Sequence, residues 1–387
     1  MRRIAAFDMS LFLCVLILVG LGIACVYTAS YPKALALTET GGDSFFYAGK
    51  QIKNVLVGLV AMMAFTYLPL GIFYRHPRRD AFFWGLVTVV GVMLLAVLVL
   101  GQSKHGNKSW VMGIQPSEFA KVGIVLTLSA YLARNPWMVK TMRSLFAGPV
   151  WFLFIPAALI MGQKDLGTTL MVVLATMIML MIAGTKARYI GILLAVLALP
   201  MFGLILVKPR TAERFRAWAQ PENRTIIASD QPRNSLIAIG SGGLLGRGFC
   251  QSRQKWFYLP ASQNDSIFAV IAEEFGFFLT VLLLFCPYLF LIFRGFSIAH
   301  GAPDEFHTLV AMGSTVMIAT QALINLGMAM NLLPTIGINL PFISYGGSSI
   351  IASMMMAGLL LNVSTLRSAT ATRPETAPGD AMQPAMS

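Results

Sequence analysis

Charge is scarce in this 387-residue chain, where Asp, Glu, Lys and Arg together make up 12% of the residues, about half the share found in soluble globular domains. That scarcity excludes an ordinary water-soluble enzyme. Cysteine is also sparse: Cys14, Cys25 and Cys286 lie in apolar runs and Cys250 stands alone, so neither a disulfide framework nor a Cys-x-x-Cys metal site can be assembled. Four histidines, His76, His105, His300 and His307, show no metal-ligand spacing. The glycine cluster 240–248 reads G-x-G-x-x-x-G with no strand before it, and no G-K-[ST] follows, which leaves no Rossmann or Walker nucleotide site. No nucleic-acid partner is expected.

Apolar residues are abundant, at 57% of the chain with a mean hydropathy of +0.72. They fall into runs of the ~20 residues needed to cross a hydrocarbon layer. The fold class expected is an all-α polytopic membrane protein of about ten transmembrane helices, near 9–29, 54–73, 82–100, 114–133, 145–162, 166–183, 188–207, 267–293, 306–328 and 342–364. Arg2 and Arg3 precede the first run, which is too long for a signal-peptide core and reads as a membrane helix. Alternate connections hold 13 Lys and Arg on one side against 6 on the other, and the positive-inside rule then places both termini in the cytoplasm. Residues 1–366 form the integral membrane domain, and 367–387, rich in Ala, Thr, Pro and Met, read as a disordered cytoplasmic tail.

One connection differs. Residues 208–266, between the seventh and eighth helices on the external side, hold nine basic and four acidic residues together with Phe215, Trp218, Trp256, Phe257 and Tyr258. A loop of that length with aromatics is expected to be partly ordered and functional. The overall charge of +13 is therefore mostly topological, and its informative share lies in this loop.

Ionisable residues in or beside membrane helices are functional candidates by default. Glu118 and Lys121 lie three apart, on one helix face, and fit either a pair that pins the bundle or a polar contact for substrate. In Gln115-Pro116-Ser117-Glu118 the proline suits a first helical turn and the acid suits the helix dipole. Asp165 opens the sixth helix, as a cap or as a site residue. Glu273 and Glu274 are adjacent and point about 100° apart, so one is expected to face the interior and the other the external mouth. Asp265, at the junction of the long loop and the eighth helix, has Arg247, Arg253 and Lys255 near it in sequence. An isolated carboxylate among cations suits a general base acting on a substrate with an anionic leaving group; a helix cap is the alternative. The Pro- and Gly-rich stretches 334–337 and 340–349 carry no charge, and irregular backbone at membrane depth is tolerated only where it is buried or lines a cavity.

Taken in series, these motifs resemble the SEDS family (shape, elongation, division and sporulation proteins). The matching stretches are Trp110 with Gln115-Pro116-Ser117-Glu118-Phe119-Ala120-Lys121, Asp165-Leu166-Gly167-Thr168, Ala238-Ile239-Gly240-Ser241-Gly242-Gly243, Arg253-Gln254-Lys255-Trp256-Phe257-Tyr258-Leu259-Pro260, Ala272-Glu273-Glu274 through Gly276, and Leu340-Pro341-Phe342-Ile343-Ser344-Tyr345-Gly346-Gly347-Ser348-Ser349. The Ser252–Pro260 run looks more like the division or sporulation branch than the elongation branch. The resemblance implies a peptidoglycan glycosyltransferase of the bacterial inner membrane that polymerises lipid II, in septal wall synthesis, with a class B penicillin-binding protein as transpeptidase partner. It places the essential aspartate on Asp265. The surroundings depart from the family pattern: Ala261 replaces a glutamate, Gln263 and Asn264 replace His-Thr, Ser266 replaces Phe, and Lys164 stands where proline is common.

The mechanism expected is inverting glycosyl transfer with Asp265 as base. Arg210, Arg214, Arg216, Arg247 and Lys255 are candidates to hold the diphosphate, because guanidinium groups suit phosphate oxygens, and a Mg or Mn ion bridging the diphosphate is a candidate cofactor. Trp110, Gln115, Ser117, Glu118, Lys121, Asp165, Glu273, Ser344 and Tyr345 complete the candidate substrate contacts. Two rival readings are a lipid II flippase, in which Glu118, Lys121, Asp165 and Glu273 line a headgroup path, and a scaffold that recruits the transpeptidase without chemistry of its own.

Overall fold

The structure is a computed structural model that describes residues 7–37, 40–104, 107–111, 113–163, 165–207, 209–223, 230–256, 258–260 and 262–371. Lys164, Lys208, Phe257, Ala261 and all but the first residues of the expected tail lie outside these. The ten expected helices are present as α1 (Met9–Ala36), α2 (Phe46–Thr66), α3 (Arg79–Leu100), α4 (Pro116–Arg134), α6 (Trp151–Gly162), α7 (Leu166–Ile182), α8 (Ala187–Val207), the joined α11 (Ile267–Thr280) and α12 (Cys286–His300), α13 (Glu305–Ala329) and α14 (Gly347–Ala371). Among the described residues five of these are long and apolar enough to cross a membrane and three more are shorter apolar helices. The chain is a polytopic helical membrane protein.

Where helices break, the cause is local. The run expected at 145–162 is divided into a short α5 (Met142–Ala147) and α6 by Gly148-Pro149, because proline cannot donate into a preceding turn. The second helix ends at Thr66, ahead of Pro69, and a 3₁₀ turn, Leu70–Phe73, follows. The last helix begins at Gly347, five residues later than expected, because Phe342 (φ 65°) and the flanking chain fold against α1, where Phe342 O would lie 2.5 Å from a Cβ at Gly22. One departure from an all-helical chain is a small antiparallel hairpin, β1 (Gln102–Lys104) and β2 (Asn107–Trp110).

The long connection is more regular than a loop. It contains α9 (Pro209–Ala219) and α10 (Asp230–Gly242). Beyond α10 the backbone of 243–248 is spliced into a break in α11. Gly276 has φ 69° inside that helix, and the amides and carbonyls left without helical partners bond across: Arg247 N to Glu273 O (3.0 Å), Gly248 N to Glu274 O (2.9 Å), Phe277 N to Gly243 O (2.9 Å) and Phe278 N to Leu244 O (3.2 Å). Glycine is required on both sides, since a Cβ at Gly276 would sit 2.1 Å from Gly246 N and one at Gly242 would sit 2.1 Å from Ala272 O.

The two ends of the bundle differ in chemistry. At one end Arg294 pairs with Asp8 (2.7 Å), Asp8 N donates to Ser364 Oγ (3.0 Å), Arg75 pairs with Asp304 (2.9 Å) and Arg134 pairs with Asp80 (2.9 Å). These joins gather the starts of α1, α3 and α13 with the ends of α4, α12 and α14. The other end carries the first turns of α4, α7 and α11 and the irregular segment 330–346.

Candidate functional site

At that second end two non-helical stretches meet at Asp265, the turn 262–266 before α11 and the segment 334–346 between α13 and α14. Ser344 Oγ donates to Asn264 O (2.7 Å) and accepts from Leu340 N (2.8 Å); Tyr345 N donates to Gln263 O (2.9 Å); Gln51 Nε2 donates to Ser344 O (3.2 Å). The Asp265 carbonyl accepts from Asn325 Nδ2 (3.0 Å). Its carboxylate is half-buried, with Oδ2 only 3.4 Å from the place a Cβ would occupy at Gly337, where φ is +73°. A glycine is needed there for the backbone conformation and leaves room beside the carboxylate. The cap of α11 falls on Ser266, whose side chain makes no capping bond, and Ser266 Oγ instead accepts from Gln231 Nε2 of α10 (3.0 Å).

Behind Asp265 lies a buried polar chain. Lys121 Nζ pairs with Glu118 Oε2 (2.7 Å) and donates to Gln321 Oε1 (2.8 Å); Gln321 Nε2 donates to Asn339 O (3.0 Å) and Ser349 Oγ (3.3 Å). Gln115 N donates to Ser348 Oγ (2.9 Å) and its side-chain amide to Asp165 Oδ2 (3.1 Å). Asp165 caps α7, accepting from Thr168 N (3.0 Å) and Thr168 Oγ1 (2.9 Å). The sequence left the roles of the pair and the acid open, and the geometry gives Lys121 and Asp165 partners within the bundle. Ser117 is fully buried beside them, and Trp110 closes β2, half-exposed, ahead of α4. Tyr345 packs edge-on against Tyr47 with ring centroids 5.4 Å apart.

Three expectations require correction. Lys255 is buried, not offered to a ligand: its Nζ lies 2.8 Å from Glu274 Oε1 and 2.8 Å from Cys250 O, and both side chains of the pair are 1% exposed. Glu273 does not line a headgroup path: it accepts from Ser252 Oγ (2.5 Å), Arg253 N (3.0 Å) and Gln254 N (3.2 Å). Glu274 does not face an external mouth, since it is 2% exposed and also accepts from Thr28 Oγ1 (2.6 Å). Both acids of the Glu273-Glu274 step point inward because the 247–255 loop wraps over α11 and supplies donors on two sides. Arg247 is partly covered too, with Nε 3.6 Å from Glu273 Oε1.

Arg247 and Arg253 are nonetheless exposed, and α9 adds further cations. Arg214 and Arg216 are exposed on it, and the side chain of Arg210, in its first turn, lies outside the described residues. The helix is fastened to the end of α13 by Trp218 Nε1 donating to Asn331 O (3.0 Å) and Asn331 Nδ2 to Trp218 O (3.3 Å). Among the described residues no three His, Cys, Asp or Glu side chains converge as a metal cage; a Mg or Mn ion bridging a diphosphate would need only one or two carboxylates besides the phosphate oxygens. Sequence reading missed Gln321 and Asn325. Their signal was two amides four residues apart, and so on one face, in a helix that is otherwise apolar there.

Comparison with known proteins agrees with this geometry. Residues 8–369 match the family profile for FtsW, RodA and SpoVE, described as "Cell cycle protein". The chain is 37% identical over 368 residues to stage V sporulation protein E of Bacillus subtilis (strain 168), covering 92% of this chain and 96% of that one. It is 32% identical over 374 residues to the probable peptidoglycan glycosyltransferase FtsW of Geobacter sp. (strain M18), covering 94% and 98%. The fold is similar to the crystal structure of the rod shape determining protein RodA of Thermus thermophilus, with a TM-score of 0.65 at 26% identity over 93% of this chain and 97% of that one. It is also similar to a chain of a peptidoglycan synthase complex that coordinates polymerization and crosslinking, with a TM-score of 0.73 at 26% identity over 94% and 98%. A profile spanning nearly the whole chain, with the motifs meeting around one carboxylate, makes this protein a member of the SEDS family of FtsW, RodA and SpoVE.

Proposed function

We propose that this chain is the lipid II polymerase of a septal wall-building complex in the bacterial cytoplasmic membrane, with Asp265 as its general base. The acceptor's 4-hydroxyl oxygen attacks the anomeric carbon of the donor sugar, the proton passes to the Asp265 carboxylate, and the bond to the undecaprenyl diphosphate breaks, with inversion. The observation that carries this reading is the half-buried Asp265 carboxylate beside Gly337, where two irregular segments meet. Its position opposite the Arg-rich end supports an external site with both termini cytoplasmic. Arg214 and Arg216 on α9, with Arg210, are the cations for the diphosphate. The partner is a class B penicillin-binding protein, supported by the similarity to a synthase complex that couples polymerization to crosslinking.

The altered residues around Asp265 do not dismantle this arrangement. Gln263 and Asn264 hold the turn through their carbonyls, which any residue supplies, and Ser266 gains the bond from Gln231. That favours a working site over a decayed scaffold. The flippase reading has less support, because Glu118, Lys121 and Asp165 are held by partners inside the bundle. Asp265→Ala, purified with its partner and given lipid II, is expected to make no glycan polymer while remaining folded; near-parental polymer removes the catalytic role.

A further inference from the structure

Asn325 stands on α13 with no exposed surface. Its Nδ2 group carries two N–H bonds, and the structure uses both: one on Asp265 O at 3.0 Å, the other on Ile338 O at 2.6 Å. The opposite orientation of the amide would place Oδ1 against two carbonyl oxygens, so the donor direction is set by the chemistry. These two carbonyls belong to two different non-helical segments. One carries the carboxylate, and the other carries Gly337, whose α-carbon faces Asp265 Oδ2.

Neither segment has a helical or sheet ladder to fix it, so their relative position depends on side-chain bonds of this kind. One turn earlier on α13, Gln321 does the same for the next residue of the segment, donating to Asn339 O while accepting from Lys121. Two amides at i and i+4 thus hold consecutive carbonyls, 338 and 339, against a rigid helix. We propose that Asn325 is a positioning residue for the reaction, setting the distance between the Asp265 carboxylate and the Gly337 backbone that walls one side of it, without touching substrate. A misplacement of about 1 Å at a reacting group costs on the order of a hundredfold in rate, so the effect belongs in kcat.

The proposal rests on Asp265 being the base, and the test separates the two. Polymerisation of lipid II by the full-length protein with its partner is followed for the parent, Asp265→Ala, Asn325→Ala and Asn325→Asp. Asn325→Ala is expected to lower kcat by about 10- to 100-fold with KM for lipid II within about twofold. Asn325→Asp keeps the shape but donates only as the protonated acid, so its activity relative to the parent is expected to rise as pH falls from 8 to 6. That second readout stands if Asn325→Ala does not fold. A loss merely proportional to the folded fraction, a raised KM at parental kcat, or an Asn325→Asp ratio that is flat with pH overturns the positioning role and leaves Asp265 as base. Polymer from Asp265→Ala at near-parental rate overturns the base assignment, and the positioning role falls with it.

Discussion

Lys255 provides the sharpest test of the structure against the sequence, because the two assign it different work. In the folded protein its ammonium and the Glu274 carboxylate form an ion pair at 2.8 Å with both side chains 1% exposed. Lys255→Met removes one partner and leaves the other buried, a change that costs ~3–5 kcal/mol in other proteins. Glu274 keeps donors from Thr28 Oγ1 at 2.6 Å and Ser252 N at 3.3 Å, so the expected loss lies at the lower end. A value of ~3 kcal/mol corresponds to roughly 150-fold in the unfolding equilibrium. Adding Glu274→Gln removes the orphaned charge while keeping an acceptor for Thr28, so the double variant is expected to recover at least ~1.5 kcal/mol, a coupling of the size seen for contacting residues. Reversible unfolding of the detergent-solubilised protein by added SDS, run on the four members of the cycle, measures both quantities. If Lys255→Met unfolds with the parent while its KM for lipid II rises, the burial argument is wrong and Lys255 returns to the diphosphate site.

Three further outcomes are expected. Gly276→Ala meets both a positive φ and backbone atoms of Gly246 and Leu245 within 2.5 Å of the new Cβ, so the variant is expected not to be recovered folded; a normal gel-filtration profile and melting point would contradict the splice of 243–248 into α11. Arg214→Gln with Arg216→Gln is expected to raise KM for lipid II several-fold at low salt, with the difference shrinking as added salt screens exposed charge; an unchanged KM removes α9 from the diphosphate site. At the opposite end, burial pushes the Asp8 carboxyl up, but hydrogen bonds from Ser10 and the Leu11 amide and the Arg294 guanidinium outweigh it and hold the group below its ordinary range. Its contribution is therefore present above the unfolded carboxyl's pKa, about 3.9, and lost as pH falls through the lower folded value. The stability gap between parent and Asp8→Asn is expected to be constant from pH 8 to 5 and to close below about pH 4; a gap that widens in acid refutes the direction.

Much of the fold was readable because a membrane core makes unusually simple demands. A helix must be apolar for ~20 residues, and ten such runs could be counted, with boundaries off where proline, glycine or a folded-back segment intervened and where a helix runs past its apolar stretch, as α2 does in starting at Phe46. The break at Gly276 was not legible, since a single glycine in an apolar run is as compatible with a straight helix as with a spliced one. The hairpin before α4 went unseen because its strands are short.

The candidate site was legible in part. Asp265 was visible as an isolated acid beside cations, and its place at the bundle end agrees. Lys255 and Glu273 were misread because charge in a sequence does not carry its own burial, and a cation ten residues from Asp265 in the chain lies in a pair with Glu274 once the loop closes over α11. Asn325 was overlooked because an amide has no charge to flag it. By itself the sequence determined the solvent of this protein and its series of apolar helices, and it singled out one carboxylate as the candidate for chemistry, since these follow from composition and spacing along the chain. Only the tertiary structure decided which charges are available to a substrate and which residue bonds the Asp265 backbone, because both depend on contacts between segments apart in the chain, 19 residues for Lys255 with Glu274 and 60 for Asn325 with Asp265.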